Sequence, residues 1–249
     1  MNLSTSIVNS IQCTLKAIYR YGERTHGLKK LDFNVIKFSQ KSKTKEPLTL
    51  EKEMIIWQYC LNNKERISLA MSLGLYAGLR IGEICALKWE DIDLEKRLIN
   101  INHSVTYYPR RAETTRCEFA VSLPKTEAGI RTVPMMEPVY NAFMEEYEYQ
   151  KENGFSTVTL DGMEGFIFTN RFGNLHNPQA INRTIKRIRE NYNAEEILKA
   201  KKEKRDPIII PHFSCHHLRH TFCTRFCENE TNIKVIQAVM GHANIETTM

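Results

Sequence analysis

The stretch that most restricts the fold lies between residues 97 and 135, where the chain switches from helical to strand chemistry and back. Leu98-Ile99-Asn100-Ile101, Val105-Thr106-Tyr107-Tyr108, Phe119-Ala120-Val121 and Arg131-Thr132-Val133 are short runs rich in β-branched and aromatic residues. Such residues suit a pleated, half-buried surface. Asp93 to Lys96 and Glu127 to Gly129 read as the turns between them. On both sides the apolar residues recur at helical spacing: over 50–61, 64–77 and 80–87 before, and over 137–152, 215–229 and 232–240 after. Asn177-Pro178 opens one more helix, an N-cap followed by proline at the first helical position. Gly165 to Thr169 is a short apolar run, closed by a turn at Asn170 to Asn174. The expected class is α+β, mainly α with a small antiparallel β-sheet inserted among helices.

Three parts are expected along the chain. Residues 1–26 hold one helix, with Ile7, Ile11, Leu15, Ile18 and Tyr19 at helical spacing and Gly27 ending it. Residues 27–46 are polar and basic, carrying Lys29, Lys30, Lys37, Lys41, Lys43 and Lys45 against Asp32. Two readings of this linker stand side by side: a solvated connector, or a segment lying along a phosphate backbone. A domain over 47–249 follows, opened by Thr49 as N-cap with Glu51 and Glu53 in the first helical turn. From Arg183 to Arg205 basic residues again dominate, and the same pair of readings applies: a solvated helix face, or a surface turned to DNA.

Composition narrows the function classes. A chain of 249 residues with net charge +6 and pI near 8.9 is compatible with a nucleic-acid partner. No apolar run approaches the ~18 residues of a membrane span, and residues 1–12 lack the charged start and apolar core of a signal peptide. Seven scattered cysteines (13, 60, 85, 117, 215, 223, 227) without a CxxC pair suit reduced thiols in a cytosol, most of them as small buried hydrophobes.

The chemistry concentrates in His216-His217-Leu218-Arg219-His220-Thr221. Pro211 breaks the preceding run, and Ser214 is the expected N-cap of the helix that follows. His216 and Arg219 are then one turn apart on a single face, an arrangement suited to a phosphate oxygen. Four further pieces belong with them. Gly78-Leu79-Arg80-Ile81-Gly82-Glu83 sets an arginine at a glycine-flanked break between helices, and Pro124-Lys125-Thr126 ends a strand at a turn. Gly241-His242 lies between the helix at 232–240 and a last one starting at 244–249, and Glu246-Thr247-Thr248-Met249 ends the chain. Two arginines, two histidines and a lysine, all at element ends, suit one pentavalent phosphate whose charge must be neutralised from several sides.

In combination these residues resemble the catalytic domain of tyrosine recombinases, the phage and conjugative-transposon integrases, over about residues 47–249. The resemblance rests on a GLRxGE box at Gly78 to Glu83, a hairpin lysine at Lys125, an HxLRHT box at His216 to Thr221, and a Gly-His pair at Gly241 and His242. His217 stands where the family often has Asp. The resemblance implies the DNA breaking-rejoining catalytic fold and a site-specific recombinase that acts through a 3′-phosphotyrosyl intermediate. Arg80, Lys125, His216, Arg219 and His242 are the implied catalytic residues, while Glu83 braces the first box and Tyr76 packs in the core. The family's nucleophilic tyrosine follows its Gly-His pair by about nine residues in a TTxxY pattern. Thr247, Thr248 and Met249 match only the start of that pattern, so the chain as given is expected to bind DNA without cleaving it. Residues 1–26 correspondingly resemble the last part of the family's core-binding domain.

Double-stranded DNA is the implied partner, touched by Lys41, Lys43, Lys45, Arg183, Lys186 and Arg187. A homo-tetramer on paired DNA sites, an accessory directionality factor and a bacterial, nucleoid-associated cytoplasmic location come with the resemblance. Covalent catalysis keeps the energy of the broken bond, so no cofactor and no metal are expected. Two other functions fit parts of the pattern. A zinc enzyme would use His216 and His220 with Cys223 and Cys227, but His217 stands where an HExxH motif needs Glu, and Arg219 opposes a dication. A non-catalytic DNA-binding module of the same fold is the other.

Overall fold

The computed structural model describes residues 5–29, 47–63, 65–109, 117–124, 127–170, 172–230 and 232–241, with the side chains of 6 and 109 excepted. Two compact units are resolved by their internal contacts, Met1–Lys45 and Glu46–Met249. In the first, helix α1 runs Thr5–His26, and Gly27 leaves it at φ 62°, in the left-handed region where a glycine costs least. Ile7, Ile11, Leu15 and Ile18 on α1 are exposed.

The second unit is built around a buried helix. α2 (Leu50–Asn62) starts at Thr49, whose side chain accepts the Lys52 N–H. α3 (Ser68–Tyr76) follows, starting four residues later than the periodic pattern suggests. The delay comes from backbone bonds that turn the chain: Glu65 N–H to Cys60 O, then Ser68 N–H to Glu65 O. Every residue from Ser68 to Leu75 is buried. A helix apolar on all sides must be covered on all sides, and α3 packs against α5 (Glu137–Asn153) and α7 (Cys215–Asn229). The short α4 (Ile81–Ala86) follows.

The strand-rich segment forms two sheets where one was expected. β1 (Ile92–Asp93), β2 (Leu98–Ile101) and β5 (Arg131–Pro134) make an antiparallel sheet in the order β1-β2-β5, with Ile99 opposite Val133. β3 (Ser104–Pro109) and β4 (Cys117–Ser122) form a separate hairpin in which Tyr107 faces Phe119. Strand period alone does not say which runs pair. Here β5 returns past the hairpin to β2, so Ile99, Ile101 and Val133 face the core, whereas β3 packs on α4. The turn at 127–129 is a single 3-10 turn leading into β5.

α6 (Pro178–Glu203) is capped by Asn177, whose side chain accepts the Ala180 N–H at 2.7 Å. Ser214 occupies the N-cap position of α7 with extended backbone, but its side chain makes no capping bond. Asn182 of α6 takes that role, its Oδ1 accepting the Cys215 N–H at 3.0 Å. α8 (Ile233–Met240) closes the described chain. Among the described residues no helix is long and apolar enough to cross a membrane. Of the cysteines, Cys60, Cys85 and Cys215 are buried, while Cys13, Cys117 and Cys227 are exposed, so fewer than expected serve the core.

Tyr76 does more than fill space. It is half-buried, its ring meets Trp57 edge-on, and its hydroxyl donates to Glu53 at 2.6 Å. Arg225 of α7 bonds the other oxygen of the same carboxylate and also the carbonyl of Leu48. Leu48 in turn gives its N–H to the Thr221 hydroxyl. A buried glutamate, a tyrosine and an arginine therefore tie α2, α3 and α7 into one block, and that block fixes where the first turn of α7 lies.

Candidate functional site

Three arginines converge on the C-terminal end of α8. Arg131 Nε donates to the carbonyl of Val239 at 2.8 Å, Arg219 Nη2 to that of Met240 at 2.7 Å, and Arg80 Nη2 to that of Gly241 at 3.1 Å. The last carbonyls of a helix have no partner within it, and the helix dipole leaves partial negative charge there. Three cationic forks on three successive carbonyls satisfy both. Gly241, at φ 60°, turns the chain out of α8, and a Cβ there would lie 2.9 Å from Arg131 Nη1.

Each arginine comes from a different element. Arg80 sits at the N-cap of α4, just past Gly78, which adopts φ 63° and whose missing Cβ would meet the Phe222 ring at 2.5 Å. Arg219 projects from α7 into the core, and its Nη1 also bonds the carbonyl of Gly78. Arg131 opens β5. The glycine-flanked break in the first box thus has a structural purpose: it lets α7 approach closely enough for Arg219 to hold the break by its backbone.

Glu83 joins the set. Its Oε2 accepts the Arg80 N–H at 2.8 Å, the reach back from the first turn to the N-cap. Its Oε1 accepts Arg80 Nη1 at 2.8 Å, and Arg131 meets both oxygens through Nη1 at 3.1 Å and Nη2 at 2.9 Å. Burial alone would raise this carboxyl, but the Arg131 hydrogen bonds and charge, then those of Arg80, hold it below its ordinary range. Burial, then the charge of Arg80, pushes Arg219 down to about 10, still protonated at neutral pH. Three guanidiniums against one carboxylate leave the cluster net positive. Arg80 is the member that faces outward, its side chain 42% exposed against 5% for Arg131.

The expected site residues divide as follows. Arg80 and Arg219 are brought side by side on adjacent carbonyls. His216 lies one helical turn before Arg219 on α7, and it is exposed while Arg219 is buried. Lys125, His242, Lys41, Lys43 and Lys45 lie outside the described residues. Arg183, Lys186 and Arg187 are exposed on α6, but Arg187 is clamped by both oxygens of Glu65 and Lys186 lies 3.8 Å from Glu190. The basic stretch is in part an ion-paired helix face. The sequence pattern marks Arg131 only as a strand residue. Its signal lay in the alternation of β5, where Arg131 shares the face of buried Val133. A charge on the buried face of a strand needs a partner, and Glu83 is that partner.

A cleft of about 630 Å³ lies elsewhere, lined among others by Glu65, Arg66, Glu146, His176 and Arg187. Arg66 pairs with Glu146 and Arg187 with Glu65, so its arginines are already neutralised. Among the described residues no three His, Cys, Asp or Glu side chains gather as for a metal ion. Cys223, next to Cys227 on α7, is pushed up to about 11, by burial first and then by that neighbour.

The chain matches the family described as Phage integrase family over residues 48–249. It is similar to the transposase from transposon Tn916 of Enterococcus faecalis, 35% identical over 175 residues that make 70% of this chain and 39% of the relative. It is also similar to a XerC-like tyrosine recombinase of Caldanaerobacter subterraneus subsp. tengcongensis, 29% identical over 74% of this chain and 44% of the relative. The chain thus spans less than half the length of these curated relatives. Among solved structures it is similar to the Tn1549 transposon integrase in complex with transposon right end DNA. That match has a TM-score of 0.80 at 27% identity and covers 99% of this chain and 74% of the other. A lambda integrase dimer bound to a core site shares the fold, with a TM-score of 0.58 at 15% identity over 98% of this chain and 74% of that one.

Proposed function

The chain belongs to the phage integrase family, and from that premise we propose that it is the catalytic part of a tyrosine-type site-specific DNA recombinase, with the cluster of Arg80, Arg219 and Glu83 as its phosphate site. One observation carries the reading. Arg80 and Arg219, far apart in sequence, rest on neighbouring carbonyls at the end of α8, and the cluster they form has more cations than its one carboxylate can balance. A net positive group of guanidiniums with one member, Arg80, facing outward suits a phosphodiester better than any neutral ligand.

In the proposed reaction the family's tyrosine attacks the scissile phosphate. A 3′-phosphotyrosyl bond forms and the bond to the 5′-oxygen breaks, which frees a 5′-hydroxyl. Arg80 and Arg219 hold the non-bridging oxygens as their charge concentrates in the pentavalent state. His216 takes the tyrosine proton, Lys125 gives a proton to the leaving 5′-oxygen, and His242 hydrogen-bonds the phosphate. Attack by the 5′-hydroxyl of another strand reverses the step and rejoins the DNA, with no change in bond count and no need for a cofactor. In this reading Lys41, Lys43, Lys45, Arg183, Lys186 and Arg187 contact the duplex, and four copies work on paired DNA sites. A directionality factor selects integration or excision in the bacterial cytoplasm. Residues 1–26 belong to a core-binding domain joined by the linker at 27–46.

The test separates binding from chemistry. In a cleavage-competent form of the protein, Arg80→Ala and Arg219→Ala are expected to slow cleavage of a nicked suicide duplex by roughly 10²-fold or more. Affinity for the same duplex should stay nearly unchanged, because many phosphates share the binding while the developing charge sits at one. Equal loss of binding and cleavage in both variants would count against the assignment.

A further inference from the structure

Arg131 is not among the residues that the proposed reaction uses, yet it bonds three of the site's segments: α4, the end of α8 and the turn before β5. Its guanidinium bonds both oxygens of Glu83 on α4, and its Nε bonds the Val239 carbonyl on α8. Its Nη1 also reaches the Gly129 carbonyl in the turn that precedes β5. That turn follows Lys125 by only two residues in the sequence. The side chain is 5% exposed, as is that of Glu83. Glu83 is thereby held at both oxygens from one side and presents the same oxygens to the backbone N–H and Nη1 of Arg80 on the other.

We propose that Arg131 is a positioning residue for the phosphate site. It fixes Glu83, and through Glu83 it sets the direction in which the guanidinium of Arg80 points. The Val239 carbonyl that it holds directly precedes those of Met240 and Gly241, on which Arg219 and Arg80 rest, so the same residue also sets the floor beneath both. The relay needs the planar fork of arginine: two parallel donors fix the plane of the carboxylate, while a third donor reaches α8 along a different direction. A lysine supplies the charge without that geometry. Arg80 is half-exposed and bonded to Glu83 and to one carbonyl, so once Glu83 can rotate, its tip is free to swing toward solvent. The inference rests on the reading of Arg80 as a phosphate ligand, and it adds the residue that aims it.

The test uses the chain itself, with arginine side-chain NMR and inorganic phosphate as the probe. Rotation of a guanidinium about its Nε–Cζ bond slows when two donors are held, so the Arg80 signal reports its own immobilisation. Arg131→Met and Arg131→Lys are compared with the wild type, and thermal unfolding establishes that each is folded. In both variants the Arg80 guanidinium is expected to rotate faster than in the wild type. Phosphate should bind about tenfold more weakly, the worth of one charge-assisted hydrogen bond. If Arg131→Lys restored wild-type rotation and affinity, charge and not geometry would be the contribution of Arg131, and the inference would be overturned. It would be overturned equally if both variants failed to fold, since Arg131 would then be a residue of stability. If phosphate left the Arg80 signal of the wild type unmoved, the phosphate-site reading would fall. The rotation measurement, made without phosphate, would still decide whether Arg131 aims Arg80.

Discussion

Replacing Glu83 with glutamine removes the negative charge that two guanidiniums share directly, and the structure sets how much that costs. The carboxylate accepts four hydrogen bonds, two from Arg80 and two from Arg131. The halves are unequal. Arg131 is 5% exposed, so without its partner a cation stays buried and unpaired, a loss of about 3–5 kcal/mol. Arg80 is 42% exposed, water replaces much of its partner, and its share is at most about 1 kcal/mol. The sum is governed by Arg131. Urea unfolding at neutral pH should show the midpoint falling with little change in slope, and melting should drop by about 6–20 °C for a unit of this size. The pH dependence has a definite sign. The folded carboxyl lies below its ordinary 4.5, so its contribution is present above that value and is lost as pH falls through the lower, folded one. The gap between wild type and Glu83→Gln should therefore narrow on acidification below pH 4.5. A variant within about 1 kcal/mol of wild type at neutral pH, or a gap that ignores acidification, would refute this account of the cluster.

Gly78→Ala should lower thermal stability by about 1–3 kcal/mol, because φ 63° disfavours a side chain and the new Cβ meets the Phe222 ring; an unchanged melting temperature would mean the break is not held as described. Duplex binding should weaken with salt so that log K is linear in log[salt], and Arg183→Ala should reduce the slope by about one. Arg187→Ala should reduce it less, since Glu65 already holds that guanidinium; equal effects in the titration would show that the pair opens on DNA.

Much of the fold could be read from local pattern, and the residues show why. The Asn177-Pro178 start of α6 and the Thr49 cap of α2 are signals written within a few residues, and the structure carries both. The division of the strands into two sheets was not legible, because the partner of β5 is β2, some thirty residues earlier, and no local rule selects it over β4. Ser214 is the N-cap of α7 as its local pattern indicates, but the capping bond was not legible for the same reason, since Asn182 supplies it from another helix. Arg80, Arg219 and Glu83 stood out through their boxes. Arg131 did not, because its partners lie on α4 and α8 and become visible only when the chain is folded. Lys125 and His242 rest on motif alone.

The assignment of roles is tested most directly by one substrate change, sulfur in place of the 5′-bridging oxygen at the scissile phosphate. A thiolate leaves without a proton, so a general acid is no longer required, while charge on the non-bridging oxygens still must be held. In a cleavage-competent form of the protein, rates are compared for the oxygen and sulfur substrates with Lys125→Ala, Arg80→Ala and Arg219→Ala. Sulfur is expected to restore the Lys125 variant close to the wild-type rate and to leave both arginine variants slow. Restoration of the arginine variants with no effect on Lys125→Ala would contradict the assignment.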